Sequence, residues 1–322
     1  MASLLIIGGS GFFGKSILDA FQRKLLDPWA IENVVIMARH PEELQKNYPQ
    51  LITKNITLIK GDISSINELP FADFVIHAAA STDARHYLER PLEERANIIL
   101  GTLNYCKLSK KFHQKSKIVY VSSGAVYGMQ PSNLNKIPEN FHFLDADQLP
   151  LNKRGYAYAK RDSEEAFIAL GLNELNVSIA RCFAFIGPWL PLDQHFAIGN
   201  FINDGLNNRK IKVIANQKVY RSYMYADDLV EWLMTIAEKS NSSCPIYNVG
   251  SDQEILINEL ASKVGDFFHQ EIEILPHSSE DVDRYIPDIS RAMKDLDLHL
   301  KYNLDEAISN TIKNLKKNLA NT

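Results

Sequence analysis

The sequence predicts an α/β protein built on a doubly wound parallel sheet. Short apolar runs recur along the first 180 residues, and segments of helical length and periodicity separate them. The runs lack the apolar–polar alternation of a half-exposed strand, so each is expected to be buried on both faces. A glycine-rich turn follows the first run directly, where sheets of this kind bind their ligands. Together these three observations favour a sheet covered by helices on both sides.

The predicted strands are residues 4–7, 33–38, 56–59, 74–80, 117–122 and 177–180, and the clearest predicted helices are 13–26, 93–111 and 158–170. After residue 180 the pattern becomes irregular, with Gly187, Pro188 and Pro191 close together. Residues 129–153 are polar and contain three prolines. A loop of that length in a compact domain is usually functional or mobile.

Composition narrows the possible partners. The chain has 322 residues, 45% hydrophobic and 23% charged, with a formal net charge of -4. Nucleic-acid binders usually show a strong basic excess, so no nucleic acid is expected as a partner. Apolar stretches are too short to span a membrane and Met1 leads directly into a strand, so we expect no membrane partner and a cytoplasmic location. The three widely spaced cysteines indicate neither a metal site nor a disulfide framework.

The turn after the first strand predicts a dinucleotide site. Gly8, Gly11 and Gly14 are spaced so that the backbone can approach a pyrophosphate closely, and Phe12 and Phe13 open the following helix. The N-terminus of that helix offers N–H donors and a favourable dipole. Because the turn lies between a strand and a helix, dinucleotide binding is favoured over a merely structural turn.

Residues after the next strands bear on the choice of cofactor. Arg39 follows the second strand, where an arginine pairs with the 2′-phosphate of NADP and a carboxylate would bind the ribose of NAD. NADP is therefore favoured and NAD remains possible; Lys15 is a second basic candidate, and both side chains could instead face solvent. Asp62, followed by Ile63, could accept a bond from the adenine amino group or cap a helix. The small residues Ala78, Ala79 and Ala80 would let the cofactor lie against the backbone.

Ser123, Tyr156 and Lys160 form the predicted catalytic set, and Tyr156 and Lys160 are also expected to contact the cofactor. Ser123 ends the fifth strand, and Tyr156 and Lys160 are four residues apart, on one face of the next helix. A lysine ammonium there is expected to lower the pKa of the phenol. The phenol could then exchange a proton with a substrate hydroxyl while a hydride moves to or from a nicotinamide, with Ser123 bonding the same oxygen.

The order of these motifs resembles the extended short-chain dehydrogenase/reductases, the NAD-dependent epimerase/dehydratase family. The resemblance covers essentially the whole chain and continues through Arg181-x-Phe183, residues 221–228, residues 247–250, and Arg284-Tyr285 with Asp288. It implies a Rossmann domain, residues 1–182 with 221–252 returning to it, and a smaller C-terminal substrate lobe, residues 183–220 and 253–322. It also implies a homodimer formed through helices 93–111 and 158–170.

The resemblance further implies that the substrate is a nucleoside-diphosphate sugar. Arg221 would contact the diphosphate, with Arg284 a weaker candidate, since arginine supplies paired donors for phosphate oxygens. Either arginine could instead form an ordinary surface ion pair, an alternative that weighs more against Arg284 than against Arg221. The implied substrate contacts are Ser81, Ser123, Ala125, His195, Asn200, Phe201, Arg221 and Arg284.

Departures from the family pattern bear on the reaction. Dehydratases of the family carry an acid at the position of Ala125, and alanine cannot transfer protons, so no sugar 4,6-dehydratase activity is expected. A 4-keto-6-deoxy-sugar reductase, favoured by Arg39, and a 4-epimerase both remain open. Ala184 replaces the usual asparagine, which puts the identity of the sugar in doubt, and the long loop 129–153 could reshape the sugar pocket. A non-catalytic NADP-binding sensor is the alternative from another class, and the intact catalytic set argues against it.

Overall fold

A computed structural model describes residues 1–80, 85, 89–194 and 196–320. Its centre is a seven-stranded sheet of parallel strands in the order β11-β6-β5-β4-β1-β2-β3, which confirms the predicted fold class. These strands are β1 (Ala2–Ile7), β2 (Ile31–Ala38), β3 (Ile56–Lys60), β4 (Phe74–His77), β5 (Lys117–Ser123), β6 (Asn176–Cys182) and β11 (Ile246–Val249). The shorter strands are β7 (Phe185–Ile186), β8 (Ile211–Val213), β9 (Lys218–Arg221), β10 (Met224–Tyr225), β12 (Ile255–Leu256), β13 (Ile272–Ile274) and β14 (Val282–Tyr285).

Helices connect these strands. They are α1 (Phe12–Gln22), α2 (Pro41–Asn47), α3 (Pro91–Phe112), α4 (Leu151–Gly171), α5 (Ala197–Leu206), α6 (Ala226–Glu238), α7 (Ile257–Phe268), α8 (Ser290–Leu296) and α9 (Leu304–Ala320). Short 3-10 helices cover Asp27–Trp29, Pro49–Leu51, Gly124–Tyr127 and Ala146–Gln148. In the described part of the chain, no helix is long and apolar enough to span a bilayer.

The first strand shows why its sequence is apolar from Leu4 to Ile7. Leu4 and Ile6 pack into the hydrophobic cluster on one face of the sheet, with α1 and α6. Leu5 and Ile7 pack into the cluster on the other face, with α3 and α4. Because successive side chains of a strand point to opposite faces, burial of both faces leaves no position for a polar residue.

Several element boundaries differ from the prediction. The helix predicted at 158–170 begins seven residues earlier, at Leu151, so it takes in Tyr156 and the end of the predicted loop 129–153. The fourth strand ends at His77 rather than at residue 80: Ala78 N–H still bonds the Ile7 carbonyl at 2.8 Å, and the chain then crosses Gly8. The first helix ends at Gln22, and Lys24 adopts a left-handed φ of 62°, so residues 23–26 form a turn.

The C-terminal part has a core of its own. Side chains from α5, α7 and α9 form a third cluster beside the small sheets β12-β9-β14, β13-β8 and β10-β7. The chain returns to the main sheet in between, through β11. The predicted division of the chain into two units stays a prediction.

The long segment 129–153 is tied to the C-terminal part. Ile137 N–H donates to the Ile286 carbonyl at 2.9 Å, and Asp288 N–H donates to the Ile137 carbonyl at 2.8 Å. Asn248 Nδ2 also donates to the Ile137 carbonyl, at 2.8 Å. Backbone hydrogen bonds at Ile137 thus join this loop to a distant segment of the chain.

Candidate functional site

The three glycines of the first turn have different roles. Gly8 has a φ of +84°, and a Cβ atom there would lie 2.6 Å from Ala79 Cα. A Cβ at Gly14 would lie 1.9 Å from the Gly9 carbonyl oxygen, so this glycine lets α1 pack on the turn. At Gly11 the nearest atom, the Gly8 carbonyl oxygen, is 3.9 Å away. Gly8 and Gly14 therefore serve the packing of the turn, and Gly11 keeps a space open.

These features fit a dinucleotide. Gly11 is the N-cap of α1, so the first N–H groups of this helix lie next to the open space, and a helix N-terminus attracts the charge of a pyrophosphate. Phe12 and Phe13 open the helix, and the Phe13 ring packs edge-on against Phe185 with centroids 5.2 Å apart. The N-terminus of α1 at Gly11 would thus hold the pyrophosphate, Gly8 and Gly14 let the turn pack closely enough to form this site, and the two phenylalanines anchor the helix.

Alanine at Gly11 should weaken dinucleotide binding, whereas alanine at Gly14 should lower the stability of the fold. Gly11→Ala should leave stability unchanged within about 1 kcal/mol, because the space is open and the φ of -80° suits alanine. It should weaken dinucleotide binding by about tenfold or more, because the methyl group occupies the approach to the pyrophosphate. Gly14→Ala should cost about 1–3 kcal/mol of stability. Thermal melting would measure the stability of the two variants, and calorimetric titration would measure their affinity for the cofactor. An equal loss of stability in both variants would contradict the different roles assigned to the two glycines.

The end of β2 presents Arg39 to solvent. Its side chain is exposed, and the first carboxylate after the strand, Glu42, pairs with Lys60 at 3.1 Å. Lys15 is buried, and its ammonium lies 4.4 Å from the centroid of the Tyr48 ring. The alternative that the side chain faces solvent therefore holds for Arg39 and not for Lys15. Of the two predicted basic candidates, Arg39 is the one at the strand end.

The remaining predicted cofactor residues follow the carboxyl ends of β3 and β4. Asp62 is exposed, and its carboxylate accepts bonds from the N–H and hydroxyl of Ser64 at 2.9 and 2.8 Å, so it stabilises the turn after β3. The Ile63 side chain is buried and its carbonyl accepts a bond from Asn104. The three alanines at positions 78, 79 and 80 follow β4, and Ala79 lies against Gly8.

The predicted catalytic residues lie together. Ser123 ends β5, and its hydroxyl hydrogen-bonds Tyr156 on α4. Lys160, one helical turn further on, donates to the Val121 carbonyl at 2.8 Å and lies 5.7 Å from the centroid of the Tyr156 ring. The Val121 carbonyl thus holds the Lys160 ammonium near the face of the Tyr156 ring.

The pKa values of this set differ from expectation. Burial raises the pKa of Tyr156 to about 12, and the Ser123 hydrogen bond opposes the rise only in part. Burial lowers the pKa of Lys160 to about 8. The predicted lowering of the phenol pKa by Lys160 was wrong: burial penalises the phenolate and raises the pKa instead. The phenol is protonated at neutral pH.

The two arginines predicted to bind the diphosphate have different surroundings in the structure. Arg221 on β9 pairs with Asp283 at 2.7 Å; burial raises the pKa of the neighbouring Tyr285, and the Arg221 charge opposes part of that rise. Arg284 instead stacks on Tyr220, 4.4 Å from the ring centroid, and pairs with Glu254 at 3.2 Å. Arg221 thus faces the catalytic residues.

The other predicted substrate contacts are dispersed. Ala125 follows Ser123 in a short 3-10 helix and donates its N–H to the Ser123 hydroxyl at 3.2 Å. On α5, Asn200 is exposed, whereas Phe201 is buried in the C-terminal cluster. Ser81 and His195 lie outside the described residues. No group of histidine, cysteine or carboxylate side chains able to hold a metal occurs among the described residues.

Tyr285 is a site residue to which the sequence analysis gave no role. Side chains alternate along β14, so Arg284 and Tyr285 point to opposite faces, and Tyr285 is the one at Ser123. Recognising that alternation requires knowing that β14 pairs with β9, a pairing of segments far apart in sequence.

Comparison with known proteins agrees with this geometry. The family model described as "NAD dependent epimerase/dehydratase family" matches residues 4–250. UDP-glucuronic acid decarboxylase 1 of Arabidopsis thaliana is 26% identical, covering 99% of this chain and 71% of its own length. UDP-N-acetyl-alpha-D-glucosaminuronate decarboxylase of Bacillus cytotoxicus is 26% identical over 96% of both chains.

Solved structures share the fold. UDP-glucose 4-epimerase of Thermotoga maritima, solved with UDP-glucose, superposes with a TM-score of 0.79 at 20% identity, over 98% of this chain and 99% of the other. A dTDP-glucose 4,6-dehydratase of Streptomyces venezuelae, with NAD bound, gives 0.82 at 18% identity, over 99% of this chain and 98% of the other.

Proposed function

Because the chain belongs to the NAD-dependent epimerase/dehydratase family, we propose that it is an NAD(P)-dependent oxidoreductase acting on a nucleoside-diphosphate sugar. The observation that carries the proposal is the placement of Ser123, Tyr156 and Lys160 together at the carboxyl end of β5. A nicotinamide bound at the glycine turn supplies or accepts the hydride. The relatives named as UDP-sugar decarboxylases support a nucleoside-diphosphate sugar as the substrate class.

The chain's own residues would handle the proton. Tyr156 is protonated at neutral pH and can donate to a carbonyl oxygen, while the Ser123 hydroxyl bonds the same oxygen. Lys160 places a positive charge near the phenolate that remains. Arg221, on the face of β9 directed at these residues, would bind the diphosphate.

Within this class we favour reduction of a 4-keto-6-deoxy-sugar nucleotide with NADPH. A phenol that holds its proton at neutral pH suits reduction of a ketone, and Arg39 stands at the end of β2 where a 2′-phosphate would lie. Ala125 provides no acid for water elimination, so 4,6-dehydratase activity is not expected.

A nucleotide-sugar 4-epimerase is the second candidate. The same residues that protonate a ketone can, in reverse, remove the proton of a hydroxyl. Arg39 is exposed, and within the described part of the chain no ion pair or hydrogen bond orients it toward a 2′-phosphate. An epimerase would keep its cofactor and use it for an oxidation followed by a reduction.

The deciding experiment identifies the cofactor and then the substrate. Purified protein is denatured and any released nucleotide is identified by mass spectrometry, and the protein is then assayed with 4-keto-6-deoxy nucleotide sugars, UDP-glucose and UDP-glucuronic acid. Oxidation of NADPH by a keto sugar supports the reductase, whereas stoichiometric retained NAD with interconversion of UDP-sugars supports the epimerase. Release of CO2 from UDP-glucuronic acid would replace both with a decarboxylase. An enzyme inert to every nucleotide sugar would refute the substrate class.

Replacing Arg39 tests the choice of cofactor. Arg39→Ala is expected to raise the Kd for NADPH by about 10- to 100-fold, because a charge-assisted contact to the 2′-phosphate is worth about 1.5–3 kcal/mol. The Kd for NADH should change by less than about twofold, since NADH lacks that phosphate. Lys60→Ala, which removes another exposed cation near the end of β2, is the control. Equal losses for both cofactors would argue against NADP preference.

We also propose that the protein is a homodimer through α3 and α4. The two helices pack together, with a 2.9 Å contact between the Thr102 and Ser163 hydroxyls. Leu100 and Leu103 on α3 are 54% and 53% exposed, so their packing against a second copy would remove apolar surface from water. Analytical ultracentrifugation of the purified chain tests this, and a monomer would refute it.

A further inference from the structure

Glu164 lies on the face of α4 that carries the two proposed catalytic residues of this helix. Tyr156, Lys160 and Glu164 follow one another at intervals of four residues, so their side chains leave the helix on one side. Lys160 donates to the Val121 carbonyl of β5 at 2.8 Å. Glu164 accepts a hydrogen bond from the hydroxyl of Ser122, the next residue of the same strand. Two successive turns of α4 are thus tied to two successive residues of β5.

The Glu164 carboxylate spans two neighbouring strands. Ser122 on β5 and Arg181 on β6 lie directly opposite each other in the parallel register, and both bond this carboxylate. Oε1 accepts the Ser122 hydroxyl and also Arg181 Nε, the latter at 3.0 Å, while Oε2 accepts Arg181 Nη2 at 2.7 Å. All three side chains are buried, which strengthens these bonds. Because both carboxylate oxygens are occupied, the orientation of this turn of α4 is fixed relative to both strands.

The guanidinium of Arg181 is itself held in place. Its Nη1 donates to the Tyr127 hydroxyl at 2.9 Å and to the Glu139 carbonyl at 3.1 Å. Arg181 therefore holds Glu164 at β6 whether or not Ser122 contributes. The Ser122 hydroxyl is what adds the connection from this carboxylate to β5.

We propose that Ser122 is a positioning residue: through Glu164 it fixes the place of α4 against β5. The inference rests on the proposed function, in which the hydroxyls of Ser123 and Tyr156 bond the same substrate oxygen. Ser123 is the residue after Ser122, and Tyr156 lies two helical turns before Glu164. A shift of α4 along β5 therefore changes the distance between the two hydroxyls. Catalytic groups have to be held to within about 0.5 Å, and a misplacement of about 1 Å can lower a rate 100-fold.

The first test needs no substrate. Ser122→Ala removes the hydroxyl with little change in side-chain volume, and Glu164 keeps its bonds to Arg181, so the variant is expected to fold. Crystal structures of this variant and of the unaltered chain give the distance between the Ser123 and Tyr156 hydroxyl oxygens. We expect that distance to differ by about 0.5 Å or more. The same distance in both structures overturns the proposal.

Kinetics show whether the position of α4 matters for the reaction. With a nucleotide sugar that the protein turns over, Ser122→Ala should lower kcat by about tenfold or more. The KM for the sugar and the Kd for the dinucleotide should stay within about twofold, because the Ser122 hydroxyl is buried against Glu164. A merely structural serine would lower the urea midpoint of unfolding and leave kcat unchanged, and that result contradicts the proposal.

Ser178→Ala is the matched control. Ser178 is a fully buried serine on β6, and its hydroxyl bonds the Ile118 and Ile236 carbonyls at 3.2 and 3.0 Å. This variant also loses buried hydrogen bonds, but α4 stays tied to β5 through Ser122, so kcat should stay within about twofold. An equal fall in kcat in the two variants refutes the positioning role. If the distance between the hydroxyls changes in Ser122→Ala but no nucleotide sugar is turned over, the positioning role stands and the proposed function fails.

Discussion

Tyr156→Phe is expected to lower kcat by about 10²- to 10⁴-fold, the usual contribution of a positioned proton donor. The substitution removes the hydroxyl that bonds Ser123 and leaves the ring in place. The glycine turn is untouched, so the dinucleotide should bind with unchanged Kd. Turnover measured with a nucleotide sugar and cofactor titration by calorimetry would separate the two effects.

Tyr158→Phe is the matched control, on the same helix two residues further on. Its hydroxyl bonds the exposed Asp145 and Asp147 at 3.1 and 3.3 Å, away from Ser123. We expect its kcat to stay within about twofold of the unaltered chain, since exposed contacts contribute little. If both variants turn over normally, the protein is not using Tyr156 chemically, and a non-catalytic dinucleotide-binding role becomes the better explanation.

The parts of the site that are local in sequence could be predicted. The glycine turn, with its strand and helix, lies within residues 2–22, and Tyr156 and Lys160 are one turn apart on α4. Such features follow from the periods of strands and helices. The fold class followed in the same way, because residues 4–7 of β1, buried on both faces of the sheet, are all apolar.

Properties that depend on distant segments could not be predicted. The position of Tyr285 in the site depends on the pairing of β14 with β9 and on the backbone hydrogen bonds between its segment and the loop at Ile137. The pKa of Tyr156 depends on how completely the phenol is buried, a quantity that the spacing of Tyr156 and Lys160 does not contain. Helical spacing predicts proximity, while desolvation decides the direction of the pKa shift.

A loss of about 3–5 kcal/mol in the free energy of unfolding is expected for Glu164→Gln. Glu164 and Arg181 form a buried ion pair, 3% and 6% exposed, with Nη2 and Oε2 2.7 Å apart. Ser122, next to the catalytic serine, also donates to Glu164. Neutralising the Glu164 carboxylate leaves the Arg181 charge buried without a counter-charge. The resulting loss of stability is therefore expected to be far larger than the loss from breaking an exposed ion pair.

Asp162→Asn supplies the comparison, because it makes the same chemical change two residues away on α4. Asp162 pairs with Arg95 at 3.1 Å, but both side chains are more than 40% exposed. Solvent screens such a pair, so its loss should cost less than about 1 kcal/mol. Urea unfolding of both variants would measure the difference. Similar costs would mean that the Arg181 charge finds other compensation, from the Tyr127 hydroxyl and the Glu139 carbonyl that it also contacts. A large difference would identify the Glu164–Arg181 pair as the link that joins β6 to α4, the helix that carries Tyr156 and Lys160.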